Sequence, residues 1–184
     1  VTGHAEDAAV RIRRALEGDR VLLSEFGARA FQDAFAAQNS AEDVALYTAA
    51  AFNPERQAQE LSEPGSIFLI AERAGLPVGY ARVRLGAAPA LDPAPGERPM
   101  ELARLYVDAR STGGGIGAAL MDACLDTARA AGCDYVWLSA WEENTGAIRF
   151  YRREGFLVLG RAIFMLGTDP QRDLLMGRAV GLPR

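Results

Sequence analysis

Thr112-Gly113-Gly114-Gly115-Ile116-Gly117 sets four glycines within five positions, between an apolar strand-like run and an amphipathic helix-like run. Glycine adopts the left-handed turns that such a junction needs and leaves peptide N–H groups uncovered. A helix that starts there adds the positive end of its dipole. The result is an anion site, and a diphosphate-bearing cofactor is its natural guest. The same stretch, Leu105 to Phe156, continues into a second strand. A short helix then opens at Asn144, carries Phe150, Tyr151 and Arg153, and stops at Gly155.

Residue types that are scarce narrow the chemistry. His4 is the single histidine, which argues against a Ser-His-Asp triad, a Cys-His pair or a histidine-rich metal site. Every basic residue is arginine. A Walker-type phosphate loop requires a lysine after its last glycine, and Schiff-base chemistry requires a lysine amine. Cys124 and Cys133 are too few and too far apart for a zinc site, so no metal is expected. Cys124 falls on the apolar face of the glycine-loop helix and reads as a buried reduced thiol.

The elements that must position these residues follow from pattern. Val10 to Leu16 reads as a first strand. Asp19 is placed to cap a helix with Leu23, Phe26, Ala30, Phe31, Ala34 and Phe35 at helical spacing. Ser40-Ala41-Glu42-Asp43 resembles a capping box with Asp in place of Glu, opening a helix to about Phe52. Asn53-Pro54 restarts a helix. Ile67 to Ala71 and Val78 to Leu85 make a hairpin, and Gly86 to Pro99 is a surface loop. Strands are expected at Met100 to Val107, Tyr135 to Trp141, Phe156 to Leu166 and Arg172 to Val180, with a helix from Ile116 to Gly132. At 184 residues, one domain spanning 1–184 is expected, with its core from about 10 to 180. A net charge of −4 argues against nonspecific nucleic-acid binding. No apolar run approaches the roughly 20 residues that span a bilayer, and no signal-like segment opens the chain. A cytoplasmic protein without a membrane partner is the expectation.

Three readings of the glycine loop compete. Gly113, Gly115 and Ala118 fit a dinucleotide fingerprint, with Asp134 about 20 residues on as the ribose acid. In that fold the acid ends the second strand, whereas Asp134 precedes it, and an upstream antiparallel hairpin has no place there. A plain strand-to-helix turn needs one or two glycines, not four. The third reading is an acyl-CoA site.

For that reading the residues resemble the Gcn5-related N-acetyltransferase (GNAT) superfamily, whose pyrophosphate loop reads Q/R-x-x-G-x-G/A. Here the Gln or Arg is Thr112, with Arg110 two residues earlier, and the glycine part is retained. The strand end Leu105-Tyr106-Val107, the stretch Trp141-Glu142-x-Asn144, and Ala147-x-x-Phe150-Tyr151-x-x-x-Gly155-Phe156 agree with the family. The resemblance runs from about Val10 to Val180. A narrower likeness, in Ala30 to Phe35, Gln38-Asn39-Ser40 and Ala51-Phe52-Asn53, is to the PaiA-type spermidine/spermine N-acetyltransferases.

The resemblance implies an α/β fold, a mixed and mostly antiparallel sheet flanked by helices. It implies transfer of acetyl from acetyl-CoA to an amine in a ternary complex, without a metal. Leu105, Tyr106 and Val107 would lie along the pantetheine, which adds to the sheet like a strand. Amides of Gly113, Gly114, Gly115, Ile116, Gly117 and Ala118 would hold the pyrophosphate, with Thr112 on the cofactor side at the family's Gln or Arg position. Asn144, Ala147, Phe150 and Arg153 would complete the cofactor side, with Arg153 toward the nucleotide phosphates. Tyr151 is the expected general acid, since a phenol within hydrogen-bond reach can protonate a departing thiolate. Glu101 is the expected base through an ordered water, or else a strand-end carboxylate paired with an arginine. Phe31 and Phe35 either line the acceptor slot or pack in the helix core. Glu42, Asp43, Glu142 and Glu143 are acidic candidates near its mouth. A small-molecule amine, a polyamine first, is the expected acceptor. A peptide amine and a noncatalytic acyl-CoA-binding regulator stay open. The last strand pair offers a homodimer edge by analogy.

Overall fold

A computed structural model describes residues 9–181; His4 lies outside them. Strands are β1 (Arg11–Arg14), β2 (Ser66–Arg73), β3 (Leu76–Leu85), β4 (Pro99–Val107), β5 (Tyr135–Trp141), β6 (Leu157–Leu166) and β7 (Asp169–Ala179). Helices are α1 (Arg20–Phe35), α2 (Ala41–Ala51), α3 (Pro54–Ser62), α4 (Ile116–Ala130) and α5 (Thr145–Arg153). The strands form one seven-stranded sheet in the order β1-β2-β3-β4-β5-β7-β6. Every neighbouring pair is antiparallel except β4 and β5, which run parallel. This is the mixed, mostly antiparallel α/β sheet that the sequence led us to expect.

Each face of the sheet has its own core. Ile116, Leu120, Met121 and Cys124 of α4 and Ile148 of α5 pack with Val83, Met100, Leu102, Val136 and Leu138. On the other face Leu23, Phe26 and Ala30 of α1 meet Phe68, Ile70 and Tyr80. Close approach on that side requires a glycine: a Cβ at Gly27 would lie 2.5 Å from Phe52 Cδ1 and 2.8 Å from Tyr80 Oη. The aromatic rings can therefore press directly against the helix backbone.

Local chemistry differs from expectation at two caps. Asp19 does not cap α1 with its side chain. Its carboxylate accepts from Arg13 Nη1 and Nη2, both at 2.8 Å, and from Leu16 N at 2.8 Å, because a facing guanidinium outcompetes the helix amides. Ser40 does cap α2 through Asp43 N, but Asp43 does not return the bond. Its carboxylate instead takes the N–H and hydroxyl of Thr168 in the β6–β7 turn, at 2.7 and 2.9 Å. Asp43 thus ties α2 to that turn, and those bonds hold its carboxyl below the usual range.

A buried ionic knot joins α3 to the sheet. Glu60 accepts from Arg56 Nε at 3.0 Å, Arg82 Nη1 at 2.9 Å and Arg104 Nη1 at 2.6 Å. Its side chain is 2% exposed, with Arg82 at 6% and Arg104 at 9%. Arg104 also stacks 5.0 Å from the Phe52 ring centroid. The knot fixes β4 from the side opposite α4.

Candidate active site

β4 and β5 pair over only three positions, Pro99–Tyr135, Met100–Val136 and Glu101–Trp137. Beyond them the strands part. In β4 the register against β3 jumps between Arg82–Arg104 and Val83–Leu102, which leaves Ala103 as an extra residue. Such a bulge bends its strand. The opening is a cavity of about 920 Å³ lined by Leu102 to Val107 on one wall and Ser139 to Trp141 on the other.

The glycine loop forms one end of this cavity. Gly113 and Gly115 hold φ of 82° and 74°, the left-handed region that suits glycine, and a Cβ on either would meet no atom within 4 Å. Gly115 is the N-cap of α4, and Ala119 N bonds Gly115 O at 2.9 Å. The amides of Ile116, Gly117 and Ala118 come before that first helical bond and have no partner within the helix. A Cβ on Gly117 would touch Phe150 Cζ at 3.5 Å, so the loop and α5 close against each other across the cavity wall. Among the loop's polar side chains, the Thr112 hydroxyl donates to Ala109 O at 2.9 Å and Arg110 pairs with Asp108 at 3.0 Å. The cradle is therefore a backbone device. One guanidinium that the sequence reading passed over, Arg73 from the end of β2, reaches Gly114 O at 3.4 Å. Only the folded hairpin brings it to the loop.

α5 forms the next wall. Asn144 Oδ1 accepts from Ala147 N at 3.1 Å, the N-cap its position implied. Asn144, Ala147, Phe150, Tyr151 and Arg153 all line the cavity. Tyr151 packs edge-on against Phe150 at 5.3 Å and beside Phe156 at 6.0 Å. Burial, with a smaller contribution from Cys124, pushes its phenol up to about 12, so the group keeps its proton at neutral pH. Cys124 itself is fully buried, and burial alone raises its thiol to about 12; it is inert packing, as expected.

The remaining walls come from α1, α2, β6 and β7. Phe31 and Phe35 pack with their ring centroids 4.5 Å apart within a hydrophobic cluster, and both also line the cavity. Tyr47, Phe164 and Trp141 continue the aromatic lining. Glu101 lines the cavity where the strands begin to part, and Arg84 Nη1 donates to its Oε2 at 2.8 Å. Glu142 is engaged by Arg172 at 2.6 Å and Asp43 by Thr168, so these two belong to surface ties. Neither they nor Glu42 and Glu143 line the cavity.

Two residues that sequence reasoning missed face each other here. Ser139 Oγ donates to Asp173 Oδ2 at 2.6 Å, and both line the cavity. Asp134, the acid of the dinucleotide alternative, accepts from Glu97 N at 2.8 Å and Arg98 N at 2.9 Å. It anchors the incoming loop of β4, and the antiparallel sheet excludes that alternative. Among the described residues no cluster of His, Cys, Asp or Glu could hold a metal ion, and no helix is long and apolar enough to cross a membrane.

Uncovered amides at the start of α4 thus open into a gap between two parallel strands, with a protonated phenol on its wall. Residues 29–156 match the model of the Acetyltransferase (GNAT) family. The chain belongs to the GNAT family. It is an acyltransferase that moves acetyl from acetyl-CoA to an amine nitrogen. An uncharacterized N-acetyltransferase of Mycobacterium bovis is 33% identical over 156 residues, covering 85% of this chain and 94% of its own. Another, from the pepI 3′ region of Lactobacillus delbrueckii subsp. lactis, is 28% identical over 171 residues, covering 93% and 98%. Among solved structures, the PaiA N-acetyltransferase of Thermoplasma acidophilum in complex with coenzyme A superposes with a TM-score of 0.77 at 21% identity, covering 93% of this chain and 99% of its own. That likeness speaks to the GNAT fold.

The cradle gives a direct prediction. In Gly115→Val, a β-branched residue meets a φ of 74°, a backbone that costs an L-residue about 1–2 kcal/mol. The loop must rotate, and its amides turn with it. Acetyl-CoA affinity should fall about tenfold or more by calorimetric titration, with only a few degrees lost in Tm.

Proposed function

We propose that this GNAT enzyme acetylates the primary amine of a small molecule, a polyamine such as spermidine or spermine first among them. The carrying observation is continuity: the glycine cradle, Tyr151, an aromatic slot and a buried carboxylate all line one cavity. A slender cationic chain suits a slot built that way.

The chain's own residues divide the work. Amides from Gly113 to Ala118 hold the diphosphate of acetyl-CoA, with Thr112 positioning the loop. Leu105, Tyr106 and Val107 provide the strand edge that orients the rest of it, and Arg153 stands toward the nucleotide phosphates. Bound acetyl-CoA supplies the acyl group as a thioester. Tyr151 donates a hydrogen bond to sulfur as negative charge develops there. Glu101, at the closed end of the strand gap, orders a water that relays the proton from the acceptor nitrogen. Arg84 holds its carboxylate in place for that task. A cytoplasmic site of action accords with the free thiols Cys124 and Cys133. A homodimer through β6 accords with that edge strand's exposed Leu157, Ile163 and Met165.

The test is thiol release from acetyl-CoA across spermidine, spermine, a monoamine of matched length and a lysine peptide. The reading expects kcat/KM at least tenfold higher for the polyamines than for the peptide. A peptide preferred over every small amine would replace the polyamine assignment and leave the acetyltransferase intact.

A further inference from the structure

Asp173 is a carboxylate in an unusual position. It lies on β7 opposite Trp141 of β5 and Ala162 of β6, in the interior of the sheet, and is 5% exposed. One oxygen, Oδ2, accepts the Ser139 hydroxyl. The other, Oδ1, is buried and has no partner among the protein's donors. Among the described residues no arginine forms an ion pair with it, although the acidic side chains of Asp19, Glu60, Glu101 and Glu142 all have one. Burying an ionised carboxylate with one satisfied oxygen is costly. The expense is explicable if the counter-charge arrives with a ligand.

The surroundings fit a cation. Trp141, Phe35, Phe31, Tyr47 and Phe164 form a linked series with ring centroids 4.5–5.9 Å apart, and all of them line the same cavity as Asp173. Aromatic faces attract an ammonium, and more so when it is desolvated. Arg104 also borders the cavity, but its guanidinium is committed to Glu60 through two bonds at 2.6 and 3.0 Å.

We propose that Asp173, oriented by Ser139, is the counter-ion that receives an ammonium group of the acceptor and selects cationic amines over neutral or anionic ones. This rests on the acetyltransferase reading and adds the group that sets its substrate class. Asp173 binds through Oδ1, with Oδ2 held by the Ser139 hydroxyl. The aromatic walls exclude water and stabilise the same charge. Substrate cation and buried anion neutralise each other, so each lowers the cost of burying its partner.

The free protein has a matching property. Burial raises the Asp173 carboxyl above the ordinary range, with Glu142 adding to the rise and the Ser139 bond opposing it. A carboxyl raised on folding stabilises the fold below its unfolded value and loses that contribution as pH rises through the folded value. Asp173→Asn keeps an oxygen for Ser139 and removes the charge. Its Tm should equal or exceed that of the wild type at pH 7–8, with the gain vanishing below about pH 4.

The experiment compares wild type, Asp173→Asn and Ser139→Ala in two measurements. One is steady-state acetylation of spermidine and of aniline, which is neutral at pH 7.5. The other is calorimetric binding of spermidine to coenzyme A-loaded protein. Asp173→Asn should raise the spermidine KM or Kd at least 30-fold, leave the acetyl-CoA KM within threefold, and leave any aniline turnover within threefold. Ser139→Ala should give a smaller change in the same direction. Spermidine binding and turnover within threefold of wild type in Asp173→Asn would overturn the proposal, as would binding of spermidine by neither protein. Asp173-dependent binding without turnover of any amine by the wild type would keep the receptor and remove the polyamine acetylation reading instead.

Discussion

Tyr151→Phe should lower kcat about 100-fold or more while the KM for acetyl-CoA stays within threefold. The substitution removes one oxygen from a ring held between Phe150 and Phe156, so packing is retained. What is lost is a donor that matters only when charge builds on the sulfur, and general-acid contributions run to about 10²–10⁴-fold. An interaction made only in the transition state lowers kcat and kcat/KM together. The pH profile carries a second signature. Burial pushes the phenol up to about 12, so Tyr151 stays protonated through the working range. Wild-type activity should show no alkaline decline from this group below about pH 10, where an ordinary tyrosine begins to ionise. A variant with kcat within threefold of wild type would assign the proton to another donor and would suit a protein that binds acyl-CoA without using it.

Glu60→Gln should unfold the protein far more readily than any exposed acidic substitution. Glu60 neutralises part of a cluster of three arginines, two of which are themselves buried. The amide keeps the shape but loses the charge and replaces one of the two acceptor oxygens with a donor group that faces guanidinium N–H groups. Breaking a buried ionic group by removing one partner costs about 3–5 kcal/mol, which for a domain of this size is roughly 6–20 °C in Tm. Arg82 retains Glu63, so the residual burden falls chiefly on Arg104. Because Arg104 sits on β4 beside the cavity, the folded fraction should also show a raised KM for the acceptor. Glu25→Gln, on the exposed face of α1, is the control and should melt within about 0.5 kcal/mol of wild type. Thermal melts of the two variants decide the matter; coincident curves would mean that the three arginines disperse their charge without Glu60.

Much of this is legible in the sequence, for a physical reason. The proposed cofactor site rests on local backbone chemistry. Glycine spacing, the strand before it, and the Asn144 cap are written in contiguous residues, and Gly113, Gly115 and Asn144 adopt the conformations that spacing implied. Helix and strand periods likewise placed the sheet that holds them. The proposed acceptor side is assembled from residues far apart in sequence. There Asp173 meets Ser139 across 34 residues, and outside the cavity Asp43 meets Thr168 across 125. A carboxylate in a strand gives no hint of burial until the register of β7 on β5 decides which face it takes. That strand begins at Asp169, three residues before the expected Arg172, with Pro170 within its pairing to Met165. The place of Pro170 near the hairpin end of the strand tolerates a proline. Competition among partners explains Asp19 and Asp43: both sit where a cap belongs, and both are taken by other donors, Asp19 by a guanidinium and Asp43 by an N–H and a hydroxyl together.

The proposed cofactor site is first of all a row of uncovered amides at the start of α4 gripping a diphosphate. Titrating coenzyme A into the purified protein in a calorimeter tests that most directly. A saturable signal at one site per chain, reduced about tenfold or more in affinity by Gly115→Val, is the predicted result. No heat with the folded wild-type protein, or equal affinity in the variant, would contradict it.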